Sequence, residues 1–221
     1  MKFTLSALAA ALVLASAPAA FAADAPAAAK TTPAPQAAAE PHFGRATDAF
    51  AKKDYKAAAS EIREAAAALR AEAKHAGAGA RRELDRSVAE LGRLAGSVEK
   101  GAVKSEKTLQ ADFARANHAL ALEHRAQAAE AWSRNQYEET GRAMQSAAGD
   151  LENAASWAGG EAKSAAAASV AEARTLGGKL ASGATRASNE VGKALESLGH
   201  GIDAVGRKVG SHAKAQPFHA A

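Results

Sequence analysis

A helical hairpin pattern occurs twice in this chain, and it constrains the fold more than any other feature. Residues 46–69 read ATDAFAKKDYKAAASEIREAAAAL, and residues 128–151 read AAEAWSRNQYEETGRAMQSAAGDL, which align without a gap at an offset of 82. Alanine matches mean little in a chain so rich in alanine, so the alignment rests on large apolar residues, which are rare here. These pairs are Phe50 with Trp132, Tyr55 with Tyr137, Ile62 with Met144, and Leu69 with Leu151. We interpret the pattern as an ancient duplication, or at least as one packing solution used twice, and predict that these side chains lie in the core at equivalent places.

The rest of the chain carries the same helical signal. From residue 42 onward, apolar residues recur every three or four positions and never alternate, and Ala, Glu, Lys and Arg dominate. Both features favour α-helix. Asp54 and Ser105 each stand just before an apolar period, where a side-chain oxygen can cap a helix N-terminus. We therefore predict an all-α fold, a helical bundle or short solenoid, with residues 42–158 as its repeat domain.

The two hairpins resemble tetratricopeptide-type helix pairs. In that family an aromatic residue precedes a tight turn, and small and large residues then alternate on one face of the second helix. Matching residues in the two copies are Tyr55, Ala58, Ile62 and Ala65, and Tyr137, Met144 and Ala147. The copies lie 82 residues apart, whereas tetratricopeptide units repeat at about 34 residues. The resemblance implies helix pairs stacked on one another.

The first 22 residues have the pattern of a secretory signal. Lys2 supplies the positive charge, residues 5–17 form a short apolar stretch, and Ala20-Phe21-Ala22 fits a cleavage site. The alternative is an uncleaved anchor, but the apolar stretch is short for one. Residues 23–41 are rich in Pro and Ala and are expected to form a disordered linker. Because the chain has no cysteine, it has no disulfide framework or lipid-anchored cysteine. We expect a soluble periplasmic protein, cleaved after Ala22.

The segment 159–211 is rich in glycine, yet it keeps an apolar stripe. The stripe steps by four and three residues through Val191, Leu195, Leu198, Ile202, Val205 and Val209, which is the spacing of a helical docking seam. Each glycine inside a helix costs about 0.5–1 kcal/mol relative to alanine. We therefore expect a loosely held amphipathic helix that docks on its own bundle, on a protein partner or, less favourably, on lipid. Residues 212–221 are expected to form a disordered tail.

Catalytic and metal-binding patterns are not evident. The seven histidines are scattered, and no pair on one helix has the i,i+3 or i,i+4 spacing of metal ligands. His124, which is in register with Leu120, is the histidine of greatest interest. No cysteine nucleophile, serine elbow or glycine-rich phosphate loop is present, and the acidic residues fall on predicted solvent faces. We predict no catalytic residues, no metal and no cofactor.

The charge and the composition of the chain indicate which classes of partner it can bind. The formal net charge is only +4, and no aromatic residues are interleaved with basic runs, so nucleic-acid binding is not expected. The polar face of the seam mixes both charge signs and lacks Trp and Phe anchors, which favours a partner helix over lipid. We expect a non-enzymatic interaction or stress-related protein that acts through helix–helix contacts or self-association. The alternative is a protective protein that becomes ordered on membrane surfaces or during water loss, similar to late-embryogenesis-abundant proteins.

Overall fold

The computed structural model describes residues 38–184 and 188–218, and both ranges are built from α-helices without strands. The predicted signal peptide and most of the predicted linker lie outside the described residues. The helices are α1 (Glu40–Ala51), α2 (Tyr55–Ala73), α3 (Ala78–Glu99), α4 (Glu106–Ser133), α5 (Tyr137–Ala158), α6 (Gly160–Ala181) and α7 (Ser188–Val209). The prediction of an all-α fold is confirmed. The linker boundary was placed slightly too late, because α1 already begins at Glu40.

Both predicted caps form. The Asp54 carboxylate accepts a hydrogen bond from the Ala57 N–H at 3.0 Å, and the Ser105 hydroxyl accepts one from the Lys107 N–H at 3.2 Å. Each satisfies one of the backbone donors that the first turn of a helix leaves without an intrahelical partner. The local sequence therefore determines where α2 and α4 begin.

The turns of the two hairpins have the same geometry. Lys53 and Asn135 both adopt the left-handed conformation, with φ of 61° and 59°. Next to them, the Asp54 N–H donates to the Ala49 carbonyl at 2.9 Å, and the Gln136 N–H donates to the Ala131 carbonyl at 3.0 Å. This is the six-to-one bond of a Schellman helix end. Within each hairpin the two aromatic rings contact each other. The ring centroids of Phe50 and Tyr55 are 5.5 Å apart, and those of Trp132 and Tyr137 are 5.3 Å apart.

The helix boundaries keep the offset of 82 residues beyond the hairpins. α3 spans Ala78–Glu99 and α6 spans Gly160–Ala181, while α4 begins at Glu106 and α7 at Ser188. The C-terminal ends of α3 and α6 agree as well. Gly101 and Gly183 both have positive φ, and in each case the N–H of the next residue closes a similar backbone hydrogen bond to the preceding helix. The packing is also equivalent, because α3 packs on α2 and α6 packs on α5.

Two apolar clusters form the core, and α4 contributes to both. The first lies among α1, α2, α3 and one side of α4, and the second lies among the other side of α4 and α5, α6 and α7. Ile62, Leu69, Met144 and Leu151 are fully buried. The four paired aromatic residues are only partly buried and border these clusters. Tyr55 and Tyr137, which were predicted to occupy equivalent places, each pack against one cluster and keep part of their surface exposed.

The C-terminal helix is part of the same body. α7 packs on α4, α5 and α6, and every residue of the predicted seam is buried against them: Val191, Leu195, Leu198, Ile202, Val205 and Val209. The described parts of the predicted C-terminal segment, residues 159–184 and 188–211, therefore belong to the bundle, because α6 also packs along α5. Among the alternatives for the seam, the structure places it on its own bundle.

Two further expectations for the C-terminal region differ from the structure. The glycines of α7 were expected to leave it loosely held, but several mark close contacts. A Cβ atom at Gly201 would lie 2.7 Å from the Ser169 hydroxyl, and one at Gly199 would lie 3.0 Å from the Arg125 guanidinium. Residues 212–221 were expected to form a disordered tail, but residues 211–218 run back along α7, and the Ala215 N–H donates to the Asp203 carboxylate at 2.8 Å. We call residues 211–218 the C-terminal strap.

None of the helices in the two described ranges combines the length and the apolar character that a membrane span requires.

Candidate functional site

The buried polar side chains are concentrated on α4, and they form the candidate functional site. Because α4 contacts α1, α3, α5 and α7, polar residues on several of its sides are enclosed by other helices. They are Asn117, His118, Glu123, His124 and Arg125. Burying such groups is costly unless each finds a partner inside the protein. The partners therefore decide what this site can do.

His124 of α4 pairs with Asp150 of α5. The His124 Nδ1 donates to the Asp150 Oδ2 at 2.5 Å, and the side chains are 8% and 3% exposed. The histidine of greatest interest in the sequence is thus the one with a buried carboxylate partner. The expectation that acidic residues lie on solvent faces was wrong for Asp150, because its helix turns this side chain inward against α4.

Burial and pairing act together on the titration of this pair. Burial lowers the pKa of His124, but the hydrogen bond and the charge of Asp150 outweigh that effect, so the pKa lies above its ordinary value. Burial raises the pKa of the Asp150 carboxyl, while the His124 partner opposes that rise. Since burial disfavours an isolated charge, this pair is most stable when the imidazolium and the carboxylate are both present.

Three glutamates surround the pair. Glu123 is 1% exposed, and burial raises the pKa of its carboxyl although Gln127 donates a hydrogen bond to it. Burial also raises the pKa of Glu40, which accepts hydrogen bonds from the Asn117 amide at 2.8 Å and the Trp157 indole at 3.0 Å. Glu72 adds a further negative charge that acts on His124 and Asp150. The prediction of solvent-facing acids was therefore also wrong for Glu123.

His118 lies on another side of α4, beneath α7. Its Nε2 donates to the Ile202 carbonyl at 3.2 Å, and a Cβ atom at Gly206 would lie 2.6 Å from the same nitrogen. Burial lowers the pKa of His118 to about 4. At neutral pH this ring is therefore uncharged, in contrast to the paired His124.

Arg125 joins α4 to the C-terminal elements. Its Nε donates to the Leu195 carbonyl of α7 and its Nη1 donates to the Gln216 carbonyl of the strap, both at 2.8 Å. Gly199 makes room for the guanidinium. Backbone carbonyls rather than a carboxylate thus satisfy this buried cation, so Arg125 fixes the positions of α7 and the strap.

The His124–Asp150 pair is enclosed by the helices around it. Five cavities in the described ranges lie in surface grooves, and neither His124 nor Asp150 lines any of these five. Nor do the described residues contain a group of three or more His, Cys, Asp or Glu side chains arranged to hold a metal ion. A histidine and a carboxylate at this distance resemble part of a catalytic dyad, but both side chains are buried. In this conformation the pair can orient helices and hold a proton.

Sequence reasoning found some of these residues and missed others. The structure brings Ile62, Leu69, Met144 and Leu151 into the two apolar clusters and places the four predicted aromatic residues at their borders. The missed residues, Asn117, Glu123, Arg125 and Asp150, carry no local signal, since each depends on a partner from a distant helix. The register of His124 with Leu120 was the one usable signal.

In comparisons with protein-family models, curated proteins and solved structures, nothing matches this chain.

Proposed function

We propose that this protein is a non-enzymatic helical interaction or stress-related protein that is exported to the periplasm and acts through its surface. The observation that carries the proposal is the internal use of the polar groups on α4. His124, His118 and Arg125 each bond to a group of the same chain, so the side chains best suited to chemistry are occupied in holding helices together. What remains for function is the outer surface.

The outer faces of the helices fit this role. Exposed ion pairs lie on these faces, such as Arg63 with Glu99, Arg174 with Glu152, and Lys208 with Glu161. Such pairs contribute little to stability but give a surface of mixed charge, which favours selective contacts with a protein. Export is supported by the signal pattern of residues 1–22.

The proposal is tested by photo-cross-linking in living cells. A photoreactive amino acid is placed singly at three exposed alanines, Ala67 on α2, Ala89 on α3 and Ala168 on α6, and the periplasmic fraction is analysed by mass spectrometry. We expect a chain that begins at Ala23 and a discrete cross-linked product from one of the three faces. A chain that retains Met1 would overturn export, and the lack of a discrete product from any face would overturn the interaction role.

The protective alternative makes a different prediction. A protein that becomes ordered on lipid should gain helix when anionic vesicles are added. The enclosed seam of α7 supports the interaction role instead, because its apolar residues are covered by α4, α5 and α6. Circular dichroism with and without such vesicles is expected to give the same helical signal, and a gain confined to lipid would favour the alternative.

A further inference from the structure

The end of α7 and the strap cover a buried histidine that has no acidic hydrogen-bond partner. His118 is 1% exposed, and its one hydrogen bond goes to the Ile202 carbonyl of α7. Gly206 lets α7 approach so closely that a methyl group there would overlap the imidazole. An added proton would therefore place a charge in a space that is packed for a neutral ring.

The charged groups around His118 are engaged elsewhere. A cavity of about 350 Å³ next to the ring is lined from α3 by Glu83, Arg86 and Glu90, from α4 by Arg115, and from the residues after α7 by His212. Arg86 pairs with Glu83, and Arg115 pairs with Glu90 and Asp112.

From α7, Asp203 favours a proton on His118, but its effect is smaller than that of burial, and its carboxylate already accepts the Ala215 N–H of the strap. None of these groups is a dedicated counterion for an imidazolium.

The elements above His118 lie at the end of the described chain and are held by few polar bonds. The strap is attached through the Ala215 N–H to Asp203 and through Arg125 to the Gln216 carbonyl. Arg115 reaches the Val209 carbonyl at 3.4 Å. The first half of α7 is held separately, by Arg125 at the Leu195 carbonyl and by the fully buried Leu195 and Leu198. The C-terminal half of α7 is held mainly by the apolar contacts of Ile202, Val205 and Val209, with one exposed ion pair between Lys208 and Glu161 of α6.

We propose that the C-terminal half of α7, residues 202–209, and the strap form an acid-sensitive latch, and that protonation of His118 releases it. Release uncovers the apolar side chains of Ile202, Val205 and Val209 together with the side of α4 that they cover. This inference does not depend on the identity of any partner or on export.

The sign of the pH effect follows from where the proton binds. In the closed state the pKa of His118 is about 4, whereas an exposed histidine has a pKa of about 6.5. The open state therefore binds a proton more tightly, and opening becomes more favourable as pH falls below the exposed value. Because the pKa of His118 differs between the closed and the open state, the equilibrium constant for opening increases about 20-fold from pH 7 to pH 5.

The test is amide hydrogen exchange of the whole mature chain at pH 7 and pH 5, corrected for intrinsic exchange rates. In the wild type, we expect residues 202–209 and 211–218 to lose protection by about 20-fold in acid, while α2 keeps its protection. In the His118→Gln variant, which keeps a donor for the Ile202 carbonyl but does not titrate, we expect the acid response of these segments to vanish. The matched control is His200→Gln, which removes an exposed histidine of α7 and should respond as the wild type does.

Three results would overturn the latch. One is an acid response that persists in His118→Gln, and another is equal loss of protection in α2, which would indicate global unfolding. Should His118→Gln fail to fold, the ring of His118 is titrated by NMR in the wild type. The latch requires that this ring stays neutral in the closed state well below pH 6 and that resonances of residues 202–209 change as it protonates. Titration near pH 6.5 without change in α7 would be the third contrary result.

Discussion

His124 and Asp150 lie on facing helices, and their pairing shows how a buried charge can position secondary structure. The 2.5 Å contact fixes the orientation of the His124 ring relative to α5. Asp150, Glu72 and Glu123 all favour the imidazolium form of His124, so the imidazolium is the positive charge that offsets them. Its loss would leave carboxylates close together in a poorly solvated space, which is strongly unfavourable.

The Asp150→Asn substitution tests this pair. Removing one partner of a buried ion pair typically costs about 3–5 kcal/mol, and we expect a loss of this size at pH 6. The pKa of His124 is raised in the folded protein, so the stabilisation is complete below the unfolded value and is lost as pH rises through the folded value. The difference between wild type and variant should therefore shrink toward pH 9. Urea unfolding at both pH values measures it.

Glu152→Gln is the control for that experiment, because Glu152 lies on the same helix and forms an exposed pair with Arg174. We expect a change of less than about 1 kcal/mol that does not depend on pH in this range. A loss in Asp150→Asn that stays constant from pH 6 to pH 9 would show that His124 carries no pairing charge.

At the scale of helices, α5 and α6 approach each other most closely where two glycines meet. A Cβ atom at Gly141 would lie 2.5 Å from the Gly177 carbonyl oxygen and 2.3 Å from the Ala181 nitrogen. These are backbone atoms, which cannot move aside as a flexible side chain can. The two glycines therefore set the distance between α5 and α6 at this crossing.

Gly141→Ala should separate these helices and lower stability by about 3 kcal/mol or more, at the upper end of the overpacking range. Gly149→Ala is the matched control on α5, because nothing lies within 4 Å of a Cβ atom there. In that variant the gain in helix propensity should raise stability by about 0.5–1 kcal/mol. Thermal unfolding of both variants measures the difference, and equal shifts would mean that the close crossing is not needed.

The helices differ in how well their sequences predict them. The seam of α7 and the caps at Asp54 and Ser105 follow from local patterns, and the structure has them where the sequence placed them. The buried polar groups of α4 could not be found in this way. α4 is enclosed on several sides, so it lacks a single apolar face, and Asp150 reaches His124 only through the packing of α5 on α4. The α7 glycines were misjudged for the same reason, since their partners lie on other helices.

For the whole molecule, the offset of 82 residues relates α7 to α4 as well. The seam residues Val191, Leu195 and Ile202 correspond to Leu109, Phe113 and Leu120 of α4, and all six are fully buried. α4 packs on α3 as α7 packs on α6. A duplicated three-helix unit followed by one further helix would produce this arrangement, and the duplication itself stays a prediction. In repeat architectures a terminal helix with a polar outer face closes the core, and the exposed Lys193, Glu196 and His200 give α7 such a face.

If α7 closes the core, its loss should weaken the whole bundle. We expect truncation after Ala187 to lower the melting temperature of the remaining chain, because it uncovers the apolar sides of α4, α5 and α6 that the seam covers. In the full chain, Leu198→Asp buries an unpaired carboxylate at a fully enclosed position and should cost about 4 kcal/mol or more, or roughly 10 °C in melting temperature for a chain of this size. His200→Asp introduces the same charge at an exposed position of the same helix and should change the melting temperature little. Differential scanning calorimetry measures all three, and a bundle that melts unchanged without α7 would show that α1 to α6 form a complete core of their own.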